Sequence, residues 1–336
     1  MNAKSDQVSP EAAEPVQRKK PLGRRILKVL GIVAIVVAAG AALFLGASAI
    51  ASSLYWGAGY DGIELDTSTY AEDAAWLWDE YDEQDEELFS VVDQATEIPD
   101  EYLDQIETCN GYIETYFSEV WDIDVSGLID SVEVHELDFT LAGDGYESLC
   151  GMADPDDGNV YISCEMVEPD GLWYGDDTWF VDCYVHEMVH VLGSCEQPDN
   201  EMVYLFEGLT EYITGLILTY NGFDYVNGSS YSYNTAIAGQ IIQADDSIIP
   251  AIIGHYGEFD LKDWVDERTD GYADELENML FLTLFGGYSD TDLLVRAQYI
   301  AAEYCKNVNP EDAEEIVTAD PAVSFFELRC LLAGLS

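Results

Sequence analysis

The run Cys183-Tyr184-Val185-His186-Glu187-Met188-Val189-His190-Val191-Leu192-Gly193 constrains the fold of this chain more than any other. Two histidines four apart on a helix lie one turn apart on one face, where both can grip a single metal ion. Glu187 follows His186 directly, so it projects beside that face and can hold and deprotonate a metal-bound water. Uncharged or apolar residues surround these three, as a helix packed inside a domain requires. A catalytic zinc site usually takes three protein ligands and leaves one position open. Glu207, at the start of a second apolar-periodic segment with Tyr204, Leu205, Leu209 and Ile213, is the candidate third ligand. Glu211, one turn later on the same face, can accept the spare ring N–H of a ligating histidine and fix its tautomer. Any fold for this chain has to bring these two helices together.

With H-E-x-x-H on one helix and E-G-x-x-E (Glu207-Gly208-Leu209-Thr210-Glu211) on the next, the chain resembles the gluzincin group of zinc metallopeptidases. The resemblance is confined to residues 183–212. Spacing alone allows Glu207 and Glu211 to exchange roles, and Gly208 after the first glutamate favours Glu207 as the ligand. The resemblance implies an α+β, zincin-like metallopeptidase domain, with a small sheet before the metal helix and a mostly helical C-terminal lobe. It also implies Zn2+ as cofactor, a peptide or protein as substrate, and Glu187 as the residue that activates the hydrolytic water. In such peptidases the last strand of the sheet is an exposed edge that pairs with substrate backbone, a mode with its own physical basis. Pro155-Asp156-Asp157-Gly158 reads as a turn, so the strand after it places Val160, Tyr161, Ile162 and Ser163 as that edge.

The charge distribution sets the topology. The net charge of the 336-residue chain is −55, yet seven of its twelve basic residues lie within the first 28 positions. Residues 29–51 then carry no charge. As a helix they span roughly 35 Å, enough to cross a bilayer with some tilt. Basic residues before this stretch and none for a long way after it predict a cytoplasmic N-terminus and an extracytoplasmic remainder. Tyr55 and Trp56 sit where an interfacial anchor would. Ala47-Ser48-Ala49 offers the alternative of a cleaved signal and a secreted product. The expected organisation is a cytoplasmic basic tail over 1–25, a transmembrane anchor over 26–51, a linker and acidic helical pair over 52–125, and the metallopeptidase-like domain over 126–336.

Export places all seven cysteines in a setting that permits disulfides, with Cys150–Cys164 and Cys305–Cys330 as local pairs. Cys183, three before His186, is a possible fourth ligand that would make the site structural. Helices are expected over 68–96 and 99–121, the pair lying on the catalytic domain or extending its fold. A bulged strand is expected over 132–139, a strand over 159–163, and helices over 233–244, 248–253, 274–284, 292–306 and 321–332.

The scarcity of basic residues argues against a nucleic-acid partner. The remaining partners are the membrane, through the anchor, and a peptide or protein substrate. Between Lys28 and Lys262 there is no lysine or arginine, so an oxyanion donor in that interval is neutral or a histidine. Tyr204, Tyr212, His255 and Arg268 are the candidates. The alternative function is an acidic cell-surface binding or adhesion protein with a structural or inactive zinc site. Either function is compatible with acidity that reflects a saline habitat.

Overall fold

The computed structural model describes residues 87–143, 146, 149–154, 158–164, 178–193, 202–223, 232–253, 259–285 and 291–318. The basic tail, the charge-free segment 29–51 and the helix expected over 321–332 lie outside the described residues. Among the described residues, no helix is long and apolar enough to cross a membrane. The protein is a mixed α+β fold, mostly helical, with one small sheet.

A short 3-10 turn, Val92–Gln94, leads into strand β1, Thr96–Glu97. The acidic helix expected over 68–96 therefore ends before this point, and its earlier part lies outside the described residues. Helix α1, Asp100–Trp121, begins with Asp100 and Glu101 in its first turn, where carboxylates complement the helix dipole. It stops at Asp122, whose left-handed backbone (φ 57°) returns its N–H to the carbonyl of Phe117. Cys109, Ile113, Tyr116 and Phe117 recur at helical spacing and are buried. They belong to the same hydrophobic core as Tyr184, Val185, Leu205 and Leu209 of the two histidine- and glutamate-bearing segments, so α1 extends that fold.

After a single turn of helix, α2 (Ser126–Ile129), come strands β2 (Glu133–Glu136), β3 (Gly151–Asp154) and β4 (Asn159–Ile162). The bulged strand expected to run to residue 139 stops earlier, because Phe139–Ala142 is a 3-10 turn started by the Asp138 carboxylate on the Thr140 N–H. The spatial order is β1-β2-β4-β3. Strand β4 pairs parallel with β2 (Val134 opposite Val160) and antiparallel with β3 (Ala153 opposite Val160). Val160, Tyr161, Ile162 and Ser163 are therefore not an exposed edge. The first three are buried between two strands, and the Ser163 N–H is taken by the Cys150 carbonyl. Local patterning shows the β3–β4 turn but not the parallel insertion of β4 beside β2. That insertion makes β3 the outer strand on the side of the metal helix.

The helical part continues with α3 (Thr178–Leu192), α4 (Val203–Tyr220), α5 (Ser232–Ala244) and α6 (Ile248–Ile252). It closes with α7 (Leu261–Thr269), α8 (Ala273–Phe285), α9 (Thr291–Val308) and α10 (Ala313–Thr318). Helices α7 and α10 are additions to the sequence pattern. Helix α4 is buried on every side from Gly208 to Thr219, as expected of the central helix of a lobe. Packed around it are α1, α3, α5 and α8.

Candidate metal centre

Helices α3 and α4 bring three donor atoms together: His186 Nε2, His190 Nε2 and one carboxylate oxygen of Glu207. The two imidazole nitrogens are 3.1 Å apart, and each lies 3.3 Å from Glu207 Oε2. Donors held about 2.0–2.1 Å from one tetrahedral zinc ion are roughly 3.3–3.4 Å apart. The triangle therefore has the size of three corners of such a site, and these residues could hold a metal ion. They are the three residues that the sequence brings forward as candidate ligands.

Each histidine has a partner at its second ring nitrogen. Glu211 Oε2 accepts from His186 Nδ1 at 3.0 Å, which leaves Nε2 as the metal-facing nitrogen. Thr210 Oγ1 lies 3.4 Å from His190 Nδ1 and is fully buried. Sequence reasoning passed over Thr210, although its place three after Glu207 and one before Glu211 puts it on the same helix face. The His190 ring also meets Phe206 edge-on, with centroids 5.3 Å apart.

The electrostatics suit a cation. Burial opposes charge on Glu207, yet His190 and His186 hold its carboxyl well below the usual range. Burial likewise opposes charge on His186, but Glu207 and Glu211 carry its pKa well above that of a free imidazole. The carboxylates that draw a proton onto His186 are those a metal would exploit.

Glu187 is buried on the adjoining face of α3, and burial raises its pKa above the ordinary carboxyl value, against the pull of His186 and His190. Its carboxylate accepts a hydrogen bond from the backbone N–H of Ala153 in β3. In an antiparallel pair, facing residues alternate between bonded and non-bonded. Ser163 N–H bonds to Cys150, so in this register Gly151 and Ala153 turn their backbone groups away from β4. The Ala153 N–H reaches Glu187 for that reason.

Two glycines permit these approaches. A Cβ on Gly151 would lie 2.7 Å from Glu187 Cγ and 2.8 Å from Cys183 Sγ. A Cβ on Gly208 would lie 2.5 Å from the Asn234 carbonyl oxygen, where α5 crosses α4. The glycine of the E-G-x-x-E pattern is thus required by a helix crossing beside the ligand.

Cys183 turns from the metal triangle towards β3, where its thiol meets that of Cys150, and burial raises its pKa well above normal. It is not one of the gathered donors. The thiols of Cys150 and Cys164 are free, so the expected pairing of these two is absent. Cys305 is a buried thiol that donates to the Gln240 carbonyl, while Cys330 lies outside the described residues.

Three of the oxyanion candidates lie among the described residues. Tyr204 stacks on Phe281 (4.8 Å). Tyr212 accepts from Gln243 and packs its ring on Gly239. Arg268 lies 3.5 Å over the Trp264 ring and pairs with Asp245. His255 is outside the described residues.

Comparison of the chain with protein-family models, curated proteins and solved structures returned no match.

Proposed function

We propose that the protein is a zinc-dependent peptidase, anchored by residues 26–51 with its catalytic part outside the cytoplasm. The observation that carries this reading is the triangle of His186, His190 and Glu207, with Glu211 behind one histidine and Glu187 beside it. Zinc bound there would supply Lewis acidity, polarising the scissile carbonyl and lowering the pKa of the attacking water.

The chain's own residues do the rest. Glu187, raised in pKa by burial, takes a proton from the water as its oxygen adds to the carbonyl carbon. It returns that proton to the amide nitrogen as the C–N bond breaks. The Ala153 N–H holds the Glu187 carboxylate in place during both transfers. The outward backbone groups of β3 that Glu187 does not take, those of Gly151 and the Ala153 carbonyl, assume the role first assigned to residues 160–163, pairing with the substrate backbone.

The test is to separate zinc content from activity. Glu187→Gln should keep about one zinc per chain and a stable fold, yet lose roughly two to four orders of magnitude in peptide hydrolysis. His186→Ala, His190→Ala and Glu207→Ala should lose zinc itself. Glu211→Ala should lose on the order of 10- to 100-fold in affinity or activity. If Glu187→Gln loses zinc along with the ligand variants, the role of Glu187 is wrong. If the zinc-loaded protein cleaves no peptide in a broad library, the peptidase reading falls.

A further inference from the structure

We propose that Glu277 is a positioning residue for the metal centre: from α8 it caps the helix that carries Glu207 and Glu211. The inference rests on His186, His190 and Glu207 being metal ligands, and not on the reaction they serve.

A helix begins with backbone N–H groups that have no intrahelical partner, and an N-cap side chain usually accepts from the second or third of them. Helix α4 starts after Met202, which offers no cap. The second and third helical residues are Tyr204 and Leu205. The Tyr204 N–H donates to Glu277 Oε1 at 2.6 Å, and the Leu205 N–H donates to Glu277 Oε2 at 3.0 Å. Glu277 thus satisfies, from another helix, the two donors that a local cap would serve. It does so as a carboxylic group facing the positive end of the α4 dipole. At 3% exposure it is one of the few buried acidic side chains among the described residues.

The same turn is tied from α5, where Asn234 Nδ2 donates to the Tyr204 carbonyl at 3.1 Å. Glu207 follows Leu205 by two residues, so the rotation and height of this turn decide where Glu207 Oε2 falls. A metal site needs its donors within about 0.5 Å of the productive arrangement. Its two hydrogen bonds go to the α4 backbone, through which it fixes the height and rotation of the turn that leads to Glu207.

The experiment uses the full-length chain with Zn2+ and Co2+ as probes. Zinc affinity is measured by competition with a chromophoric chelator, and ligand geometry by the visible bands of the cobalt form. Glu277→Ala should bind zinc on the order of 10-fold more weakly than the parent, with altered cobalt bands. Glu277→Gln retains an acceptor for one N–H and turns its amide NH2 towards the other, so it should fall between. Ile316→Ala is the control, because it cuts a separate apolar cluster on α10. It should lower thermal stability while leaving zinc affinity and the cobalt spectrum unchanged. Where Glu277→Ala fails to fold, Glu277→Gln carries the comparison. Parent-like affinity and spectrum in the Glu277 variants overturn the proposal. So does an equal loss of affinity in Ile316→Ala, which would reduce the effect to general stability. If the parent chain binds neither ion, the metal centre itself is refuted and this inference with it.

Discussion

Gly208 shows how tightly the ligand residues are framed by their neighbours. It follows Glu207 directly, and the backbone of Asn234 passes where a side chain would start. Backbone cannot swing aside as the end of a flexible side chain can. Gly208→Ala should therefore force α4 and α5 apart and destabilise the fold by about 1–3 kcal/mol, the usual cost of overpacking. Denaturant unfolding with the slope unchanged would measure this as a lower midpoint. An unchanged midpoint would mean that α5 yields at no cost. Thr210 and Glu211 act at the same scale, each fixing one histidine ring through its Nδ1 and leaving Nε2 turned to the centre.

At the scale of elements, the junction of α4 with α8 links the site to the pH dependence of stability. Burial raises the Glu277 carboxyl from an ordinary 4.5 to about 8, even against the Tyr204 and Leu205 donors. The folded state then holds this proton more tightly than the unfolded chain. The resulting stabilisation is fully present below pH 4.5 and is lost as pH rises through about 8. Between these limits Glu277 should contribute a downward slope of at most about 1.4 kcal/mol per pH unit. Urea unfolding of the parent and of Glu277→Gln from pH 5 to 8 reads this directly. The parent should lose stability relative to the variant as pH rises, and parallel curves would contradict the assignment.

At the scale of the whole molecule, charge is the dominant feature. All but three of the 67 acidic residues lie beyond residue 51, with five basic residues to set against them. The cations whose partners are described are spent locally: Lys262 on Asp274, Arg268 on Asp245 and Arg296 on Glu275. Most of the acidic surface therefore repels itself, and salt should relieve that repulsion. Screening shortens from about 10 Å at 0.1 M salt to about 3 Å at 1 M. The melting temperature should accordingly rise between low salt and 1 M sodium chloride. A flat or falling melting temperature would show that the native fold has already spaced its carboxylates beyond mutual reach.

By itself the sequence determined what depends on short spacing. His186 and His190 one turn apart, Glu207 and Glu211 one turn apart, and the boundaries of α1, α5, α8 and α9 follow from helical periodicity and from turn and capping chemistry over a few residues. The strand after Gly158 is read in the same way from local chemistry, whereas β3 (Gly151–Asp154) is not among the expected strands. Tertiary structure alone decided what depends on contacts between distant segments. Parallel pairing of β4 with β2 joins strands whose link runs through β3, so no local signal distinguishes an inner strand from an edge. Cys150 meets Cys183 rather than Cys164 because β3 packs on α3. Glu277 reads in sequence as one more acid after Asp274 and Glu275, beside Leu276, Met279 and Leu280. Its partners lie 73 and 72 residues away, and only the packing of α8 on α4 reveals what it holds. Helical periodicity fixes which side chains share a face, whereas long-range packing fixes what that face meets.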